Sequence, residues 1–383
     1  MLNLHSLFNG SSTIVGLNQK LSITEVERKK LTAARDVIRD ALRKGLPALL
    51  KQKYPDIKKV PTPKFHTQGS WAYGTLIWPA HIPPQQADMD DGCYMPLSFM
   101  KDAQPDIASK FFFEAVEAVL APVAKAHGWK INPNGAKATC TRIQLDNSKH
   151  IDIPLYAIPD QEYEKIVEAF VKTAQARTGN MDFAADEWDL LPADALLLAH
   201  REEGWKKSDP RPLRDWVNQQ VMLKTEQVRR LMRYVKAWRD WIWPKGNSPS
   251  SILLMVAVDE ALSDSKQRDD VALLEVAHKL PAILRGEVEN PVSPDEYLTD
   301  KLDEDNIREE VVARAQEMYR TLHYAIMVCD QPDEACRSLQ TLFGPRFPAD
   351  ANAVEKVKAA TVVASVPPRK IEKEPLVGRS QAG

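Results

Sequence analysis

Asp88, Asp90 and Asp91 stand within four positions, in the stretch ADMDDGCYMP. Each ionised carboxylate raises the cost of ionising its neighbours, so such crowding calls for a compensating charge. On a β-strand, side chains alternate between faces, which sets Asp88 beside Asp90 and sends Met89 and Asp91 the other way. A carboxylate pair on one face suits a hard divalent cation. A solvated acidic turn is the competing reading of the stretch taken alone. Two further features favour the cation. QGSWAYGT at 68–75 sets a Gly-Ser turn after a strand, and such turns offer backbone N–H groups and a hydroxyl to phosphate. HIDIPLYAI at 150–158 carries a third carboxylate, Asp152, on a separate strand. A phosphate cradle, a carboxylate pair and a third carboxylate are the parts of a two-metal nucleotidyl-transfer site.

The elements that must position these groups follow from periodicity. Ser22 and Glu25 fit a capping box ahead of a helix bearing Leu31, Ala34, Ile38 and Leu42, which Pro47 is expected to end or kink. KFHTQ at 64–68 reads as the strand leading into Gly69-Ser70, and residues 108–127 as an apolar helix. ATCTRIQL and HIDIPLYAI read as strands joined by the turn DNSK. In the second, Ile151, Ile153 and Leu155 alternate with His150, Asp152 and Pro154, the pattern of a half-buried strand with Asp152 on its open face. ALLLAH at 195–200 adds another strand.

From about Trp216 the period becomes helical. Val228, Leu231, Val235, Trp238 and Ile242 form one stripe that Pro244 breaks, and SSILLMVAVDEAL opens a new helix with Ser250 or Ser251 as N-cap. Beyond Asp350 the pattern fades into a Pro- and charge-rich segment expected to be a mobile tail. The expected organisation is an α/β (α+β) front over 1–216, a helical domain over 217–348 and a flexible tail over 349–383. Trp216, Trp238, Trp241 and Trp243 read as packing residues, His150 as structural, and Asp91 as a backbone hydrogen-bond partner.

Composition narrows the function classes. The 383 residues carry a formal net charge of -2, unlike a protein that tracks long nucleic acid, so no polymer partner is expected. A local basic run does exist: residues 205–245 hold 11 Lys/Arg against 4 Asp/Glu, where a triphosphate would need compensation. Cys93, Cys140, Cys329 and Cys336 show neither CxxC pairing nor matching His spacing. With no leader pattern and no run of about 18 apolar residues, the expectation is a cytoplasmic protein without a membrane partner.

The blocks QGSWAYGT, DMDDGCYMP, HIDIPLYAIP, SDPRPLRDW, KAWRDW, PSSILLM and LFGPRFP, in this order, resemble the bacterial cGAS/DncV-like nucleotidyltransferases (CD-NTases). The likeness runs from about Ser22 to Pro348 and is greatest to the DncV-like branch. It implies a DNA polymerase β-like nucleotidyltransferase core with a C-terminal helical domain and an active site in the cleft between them. It implies that Asp88, Asp90 and Asp152 hold two Mg²⁺ ions, with Asp152 helping to deprotonate the attacking ribose hydroxyl. Gln68, Gly69 and Ser70 would line the phosphate cradle, and Lys236 with Ser250 or Ser251 would hold the phosphate tail. Tyr73 would stack on a base and Arg142 would contact the second nucleotide. ATP and GTP would be the substrates, and cyclic GMP-AMP the product that activates a downstream effector in antiphage defence (CBASS).

Two other readings remain open at this point. A template-independent RNA or tRNA nucleotidyltransferase would need a basic RNA-holding surface, which the net charge argues against. A catalytically silent nucleotide sensor would lack part of the carboxylate trio. The family resemblance implies E1/E2-like ligases that act on the C-terminus, and the small residues of the ending RSQAG would let it reach such an enzyme, making Gly383 a candidate conjugation site, with a frayed end as the alternative.

Overall fold

The computed structural model describes residues 1–53, 55, 60–97, 105–176, 191–192 and 195–357. Its centre is a seven-stranded mixed sheet. The strands are β1 (Lys64–Gln68), β2 (Ala87–Pro96), β3 (Lys130–Ile131), β4 (Cys140–Gln144), β5 (Lys149–Ile158), β6 (Leu197–His200) and β7 (Gly204–Lys207). Their order is β1-β2-β5-β4-β3, with β6 also on β5 and β7 on β6. Only β2 and β5 pair in parallel; every other pairing in this sheet is antiparallel.

Alternation on β2 and β5 creates two unlike faces. Ala87, Met89, Cys93 and Met95 of β2, with Ile151, Ile153 and Leu155 of β5, pack under two helices, α1 (Glu25–Lys53) and α2 (Pro105–His127). Asp88, Asp90, His150 and Asp152 therefore fall on the opposite face. β5 is buried along its whole length, not half-exposed as its alternation suggested, because its second face is covered too: Tyr156 and Ile158 pack with Tyr163, Ile166 and Leu196, and Arg142 and Lys137 close on Asp152.

Asp91 points into the helical layer. There it meets the guanidinium of Arg39 on α1, with Nε–Oδ2 at 2.7 Å and Nη2–Oδ1 at 2.5 Å, and accepts a bond from Thr67 Oγ1 at 2.9 Å. Its partners are thus side chains, not the backbone. α1 begins at Glu25 behind Thr24, whose Oγ1 accepts from the Glu27 N–H at 3.3 Å; Ser22 bonds back to the Asn18 carbonyl and caps nothing. The helix also continues past Pro47 to Lys53, so the proline does not end it. Proline deletes one helical hydrogen bond, and buried Leu46 and Leu50 on either side anchor that turn to the core. Gly45 lets α1 approach α2, since a Cβ there would lie 2.5 Å from Val119 Cγ1.

The helical body comprises α4 (Arg211–Ile242), α5 (Ser251–Ala261), α6 (Asp269–Arg285), α7 (Arg308–His323) and α8 (Pro332–Phe343), following α3 (Asp160–Ala176) of the front. α4 is broken at Lys224–Thr225, where Thr225 takes φ +62°. Residues 1–21, expected with the sheet-bearing front, instead insert Leu2, Leu4, Leu7, Phe8, Leu17 and Leu21 into the helical core. Phe8 packs edge-on against Tyr234, Phe343 and Phe347. Residues just beyond Asp350 are ordered too: Leu2–Asn3 pairs with Glu355–Lys356 in a small antiparallel ladder. The remainder of the expected tail, including Gly383, lies outside the described residues.

Removing one partner of a buried ion pair strands the other. Asp91→Asn should therefore lower unfolding stability by about 3 kcal/mol in urea titrations; a loss below about 1 kcal/mol would contradict the structural role assigned to the Arg39 pair.

Candidate active site

Parallel pairing of β2 with β5 puts Asp88 opposite His150 and Asp90 opposite Asp152. On the flanking strands, Gln68 stands opposite Asp90 and Arg142 opposite Asp152. A patch of one sheet face thus collects two Asp from β2, a His and an Asp from β5, and an Arg from β4. The two-residue spacing of Asp88 and Asp90 is mirrored by that of His150 and Asp152.

Asp152 is 3% exposed and heavily partnered. Arg142 grips it with Nε on Oδ1 at 2.6 Å and Nη2 on Oδ2 at 2.7 Å, and Lys137 Nζ reaches Oδ2 at 2.6 Å. Burial alone would raise its pKa, but the Arg142 hydrogen bond and the neighbouring Arg142 and Lys137 charges oppose it, and the group is held down at about 2. Asp90 is the opposite case. Burial, then the charges of Asp88 and Asp152, push its carboxyl well above the usual range, against a weaker pull from Lys137 and Arg142. Asp88 Oδ1 and His150 Nε2 are buried without a hydrogen-bond donor between them. One carboxyl pushed up by its neighbours and two buried atoms without partners on the same face fit a divalent cation, and Asp88, His150 and Asp152 form a group that could hold one.

The Gly-Ser turn sits directly on this patch. Gly69 takes φ +68°, and a Cβ there would lie 2.1 Å from Asp90 Oδ2. Glycine is therefore required twice over, by the backbone conformation and by the carboxylate packed against it. Gly69–Ala72 forms one short helical turn, and the Ser70 carbonyl accepts the N–H groups of Thr75 and Leu76 at 3.0 Å, closing the loop. Gln68 does not face the cradle. Its amide donates to Tyr156 Oη at 3.0 Å and accepts from Tyr94 Oη at 3.1 Å, and the two tyrosine rings are stacked on each other.

The helical body closes over the same turn. Lys236 of α4 is 5% exposed and donates to the Thr75 carbonyl at 2.8 Å. Burial, with Arg239 adding to it, drops its pKa to about 7. Arg346 of the LFGPRFP block donates to the carbonyls of Trp78 and Ala237, and Gln85 reaches the Asp240 carbonyl at 2.7 Å. Tyr73 is 9% exposed and packed into the helical core, so its ring is wedged between the two bodies and is not an open stacking surface. Ser250 is the N-cap of α5, its Oγ accepting from the Leu253 N–H at 3.2 Å; Ser251 Oγ instead accepts from Arg239 at 2.6 Å.

Two contributors escaped the sequence reading. Lys137 lies in an irregular segment that Arg201 holds, through bonds to the Lys137 carbonyl at 2.7 Å and from its own N–H to the Ala138 carbonyl at 2.8 Å. No local pattern announces it. His150 was read as structural; the repeat of Asp-x-Asp as His-x-Asp on the next strand was the available signal.

Residues 63–156 match the family described as cyclic GMP-AMP synthase DncV-like, nucleotidyltransferase domain, and residues 225–356 match the cyclic GMP-AMP synthase C-terminal domain. An Escherichia coli cyclic GMP-AMP synthase is 31% identical over 334 residues, covering 82% of this chain and 74% of the relative. The chain belongs to the DncV-like nucleotidyltransferase family. A Vibrio cholerae cyclic GMP-AMP synthase is 39% identical over 251 residues, a match to 61% of this chain and 56% of that protein's length. The crystal structure of Vibrio cholerae DncV with the linear intermediate 5' pppA(3',5')pG superposes with a TM-score of 0.74 at 27% identity, covering 94% of this chain and 99% of that one. A second DncV structure, with ATP, GTP and 5MTHFGLU2, gives 0.76 at 26%, covering 93% and 100%. The DncV-like, polymerase β-type fold that the resemblance implied is the observed one. Among the described residues, no helix is long and apolar enough to cross a membrane.

Gly69→Ala should disturb this site more than its size suggests. We expect about 1–2 kcal/mol of lost stability from the left-handed backbone alone, and displacement of Asp90 besides. Divalent-cation binding followed by calorimetry should weaken at least tenfold, and an affinity equal to wild type would remove the constraint argued for Gly69.

Proposed function

We propose that this chain joins ATP and GTP into a cyclic dinucleotide, cyclic GMP-AMP, releasing pyrophosphate at each of two transfers. The observation that carries this reading is the convergence of Asp88, Asp90 and Asp152 on one sheet face beside the Gly69 turn and under Lys236. In the proposed division of labour, the sheet-bearing front supplies the carboxylates, and the helical body, joined by the head of the chain, supplies cations.

Asp88, Asp90 and Asp152 would hold two Mg²⁺ ions, which when bound supply neutralisation of the triphosphate and acidify the attacking hydroxyl. The rest falls to the chain's own groups. Gly69 and Ser70 seat the phosphate tail through backbone N–H groups and a hydroxyl. Lys236 has two ammonium hydrogens beyond its bond to Thr75, buried where a phosphate oxygen would compensate them. Arg142, on the strand beside Asp152, orients that carboxylate and offers its remaining donors to the acceptor nucleotide. In-line displacement at the α-phosphate needs positioning and charge compensation more than covalent help. The linear intermediate turns over in the same pocket and closes by the same chemistry. Ser250 Oγ caps α5 and Ser251 Oγ accepts from Arg239, and each keeps its hydroxyl hydrogen to donate to a phosphate tail.

The near-neutral charge supports a small-molecule substrate over an RNA end. The product would act on a downstream effector in antiphage defence, and Gly383 would be available to an E1/E2-like ligase; the family resemblance supports both. A cytoplasmic location agrees with these substrates.

Incubation with each nucleoside triphosphate pair and Mg²⁺, followed by chromatography, should yield a phosphatase-resistant cyclic product only when ATP and GTP are both present. Asp90→Asn and Asp152→Asn should each lower the rate by at least about 10³-fold, the cost of roughly 4 kcal/mol in the transition state. Untemplated long products, or none, would overturn the assignment.

Lys236 makes a second outcome measurable. Its pKa of about 7 leaves it mostly neutral at pH 8, and a triphosphate beside it would raise that pKa. Binding of a non-hydrolysable triphosphate at pH 8 should therefore take up close to one proton, read by calorimetry in buffers of different ionisation enthalpy. Lys236→Met should abolish the uptake; identical proton counts would place the phosphate elsewhere.

A further inference from the structure

His150 is buried in the central strand, and the orientation of its ring is set from one side. Nδ1 lies 2.8 Å from Gln86 Oε1. The Gln86 amide is itself oriented, because its Nε2 donates to the Asp146 carbonyl at 3.2 Å. Oε1 then accepts and Nδ1 carries a hydrogen, so Nε2 is the ring nitrogen turned toward the carboxylates. Nε2 and Asp88 Oδ1 are both buried and lack a hydrogen-bond partner, although they lie only 2.9 Å apart. The contact has the distance of a hydrogen bond without its alignment. Asp152 Oδ1 stands 3.8 Å from the same nitrogen, and one ligand atom from each residue falls within 4.8 Å of the others. An octahedral ion with bonds near 2.1 Å sets neighbouring donors about 3 Å apart and opposite donors about 4.2 Å apart. The 2.9 and 3.8 Å separations from Nε2 suit donors of one such ion.

We infer that Asp88, His150 and Asp152 form a site with one nitrogen ligand, which selects a divalent transition ion of the Mn²⁺ class over Mg²⁺. Magnesium takes oxygen ligands and dehydrates reluctantly, whereas a neutral imidazole suits the transition ions. Gln86 is the positioning residue, holding the tautomer that leaves Nε2 free to bind. The inference deepens the proposed function by naming a ligand that the carboxylate trio does not include. It makes one of the two ion positions chemically unlike the other, since Asp90 has no imidazole opposite it.

The test needs no nucleotide. Protein freed of metal is loaded with Mn²⁺ and studied by pulsed electron paramagnetic resonance. A ¹⁴N coupling to bound Mn²⁺ is expected in the wild type and should vanish in His150→Asn. Calorimetry should show Mn²⁺ binding weakened by at least tenfold in that variant and Mg²⁺ binding changed by less than threefold. Gln86→Leu, which leaves the strand and its carboxylates intact, should weaken Mn²⁺ by about tenfold and provides the control should His150→Asn not fold. Bound Mn²⁺ without nitrogen coupling in the wild type overturns the inference, as does failure of the metal to bind without nucleotide. A nitrogen signal in a protein that yields no nucleotide product would support the site and sink the synthase reading, so the two failures are distinguishable.

Discussion

The pairing of Ala87–Pro96 with Lys149–Ile158 as parallel neighbours is the constraint on which the rest of the molecule depends. It is the only parallel contact in the main sheet, and it fixes which carboxylates are adjacent. A slip of one residue in its register would send Asp88 and Asp90 under the helices and bring Met89 and Asp91 to the site face. Burial of Met89, Cys93, Ile151 and Ile153 beneath α1 and α2 opposes that slip. The apolar packing on one side of the sheet therefore holds the charges on the other, which would repel one another if left to themselves. Two charged contacts with α1 also speak to register: Arg39 meets Asp91 of β2, and Glu27 meets Lys149 of β5 at 2.5 Å, because only the observed pairing presents both residues to that helix.

Where an element depends on local pattern, it was legible. Alternating Ile151, Ile153 and Leu155 announced a strand, and the stripe from Val228 to Ile242 announced a helix ended by Pro244. Asp88, Asp90 and Asp152 could be singled out because period-2 geometry is a short-range property. Whatever depended on contacts distant in sequence was not. The burial of β5 on its second face comes from Tyr163, Ile166, Leu196, Arg142 and Lys137, and nothing within residues 149–158 reports them. The continuation of α1 past Pro47 reflects what Leu46 and Leu50 meet in the core. Gln68 looked like a ligand beside its glycine, yet tyrosines 26 and 88 residues away claim its amide. Lys137 reaches Asp152 only because Arg201 holds its loop.

The two bodies meet through cations that have few acids to answer them. Lys236 and Arg346 both end on backbone carbonyls of the segment following the Gly-Ser turn. Carbonyl dipoles compensate a buried ammonium or guanidinium only in part. The cleft is thus held ready for anionic charge on its helical wall while its sheet wall is over-supplied with it. A ligand carrying both phosphates and metal would satisfy both walls together, and neither alone would do so.

The ladder between Leu2–Asn3 and Glu355–Lys356 continues to a bond from the Val357 N–H to the Met1 carbonyl at 3.1 Å. Met1 and Val357 are therefore neighbours. A fluorescent protein or affinity handle fused ahead of Met1 would press on Val357 and on the two-strand ladder beside it, whereas the same cargo in a loop of the sheet-bearing half would leave that ladder untouched.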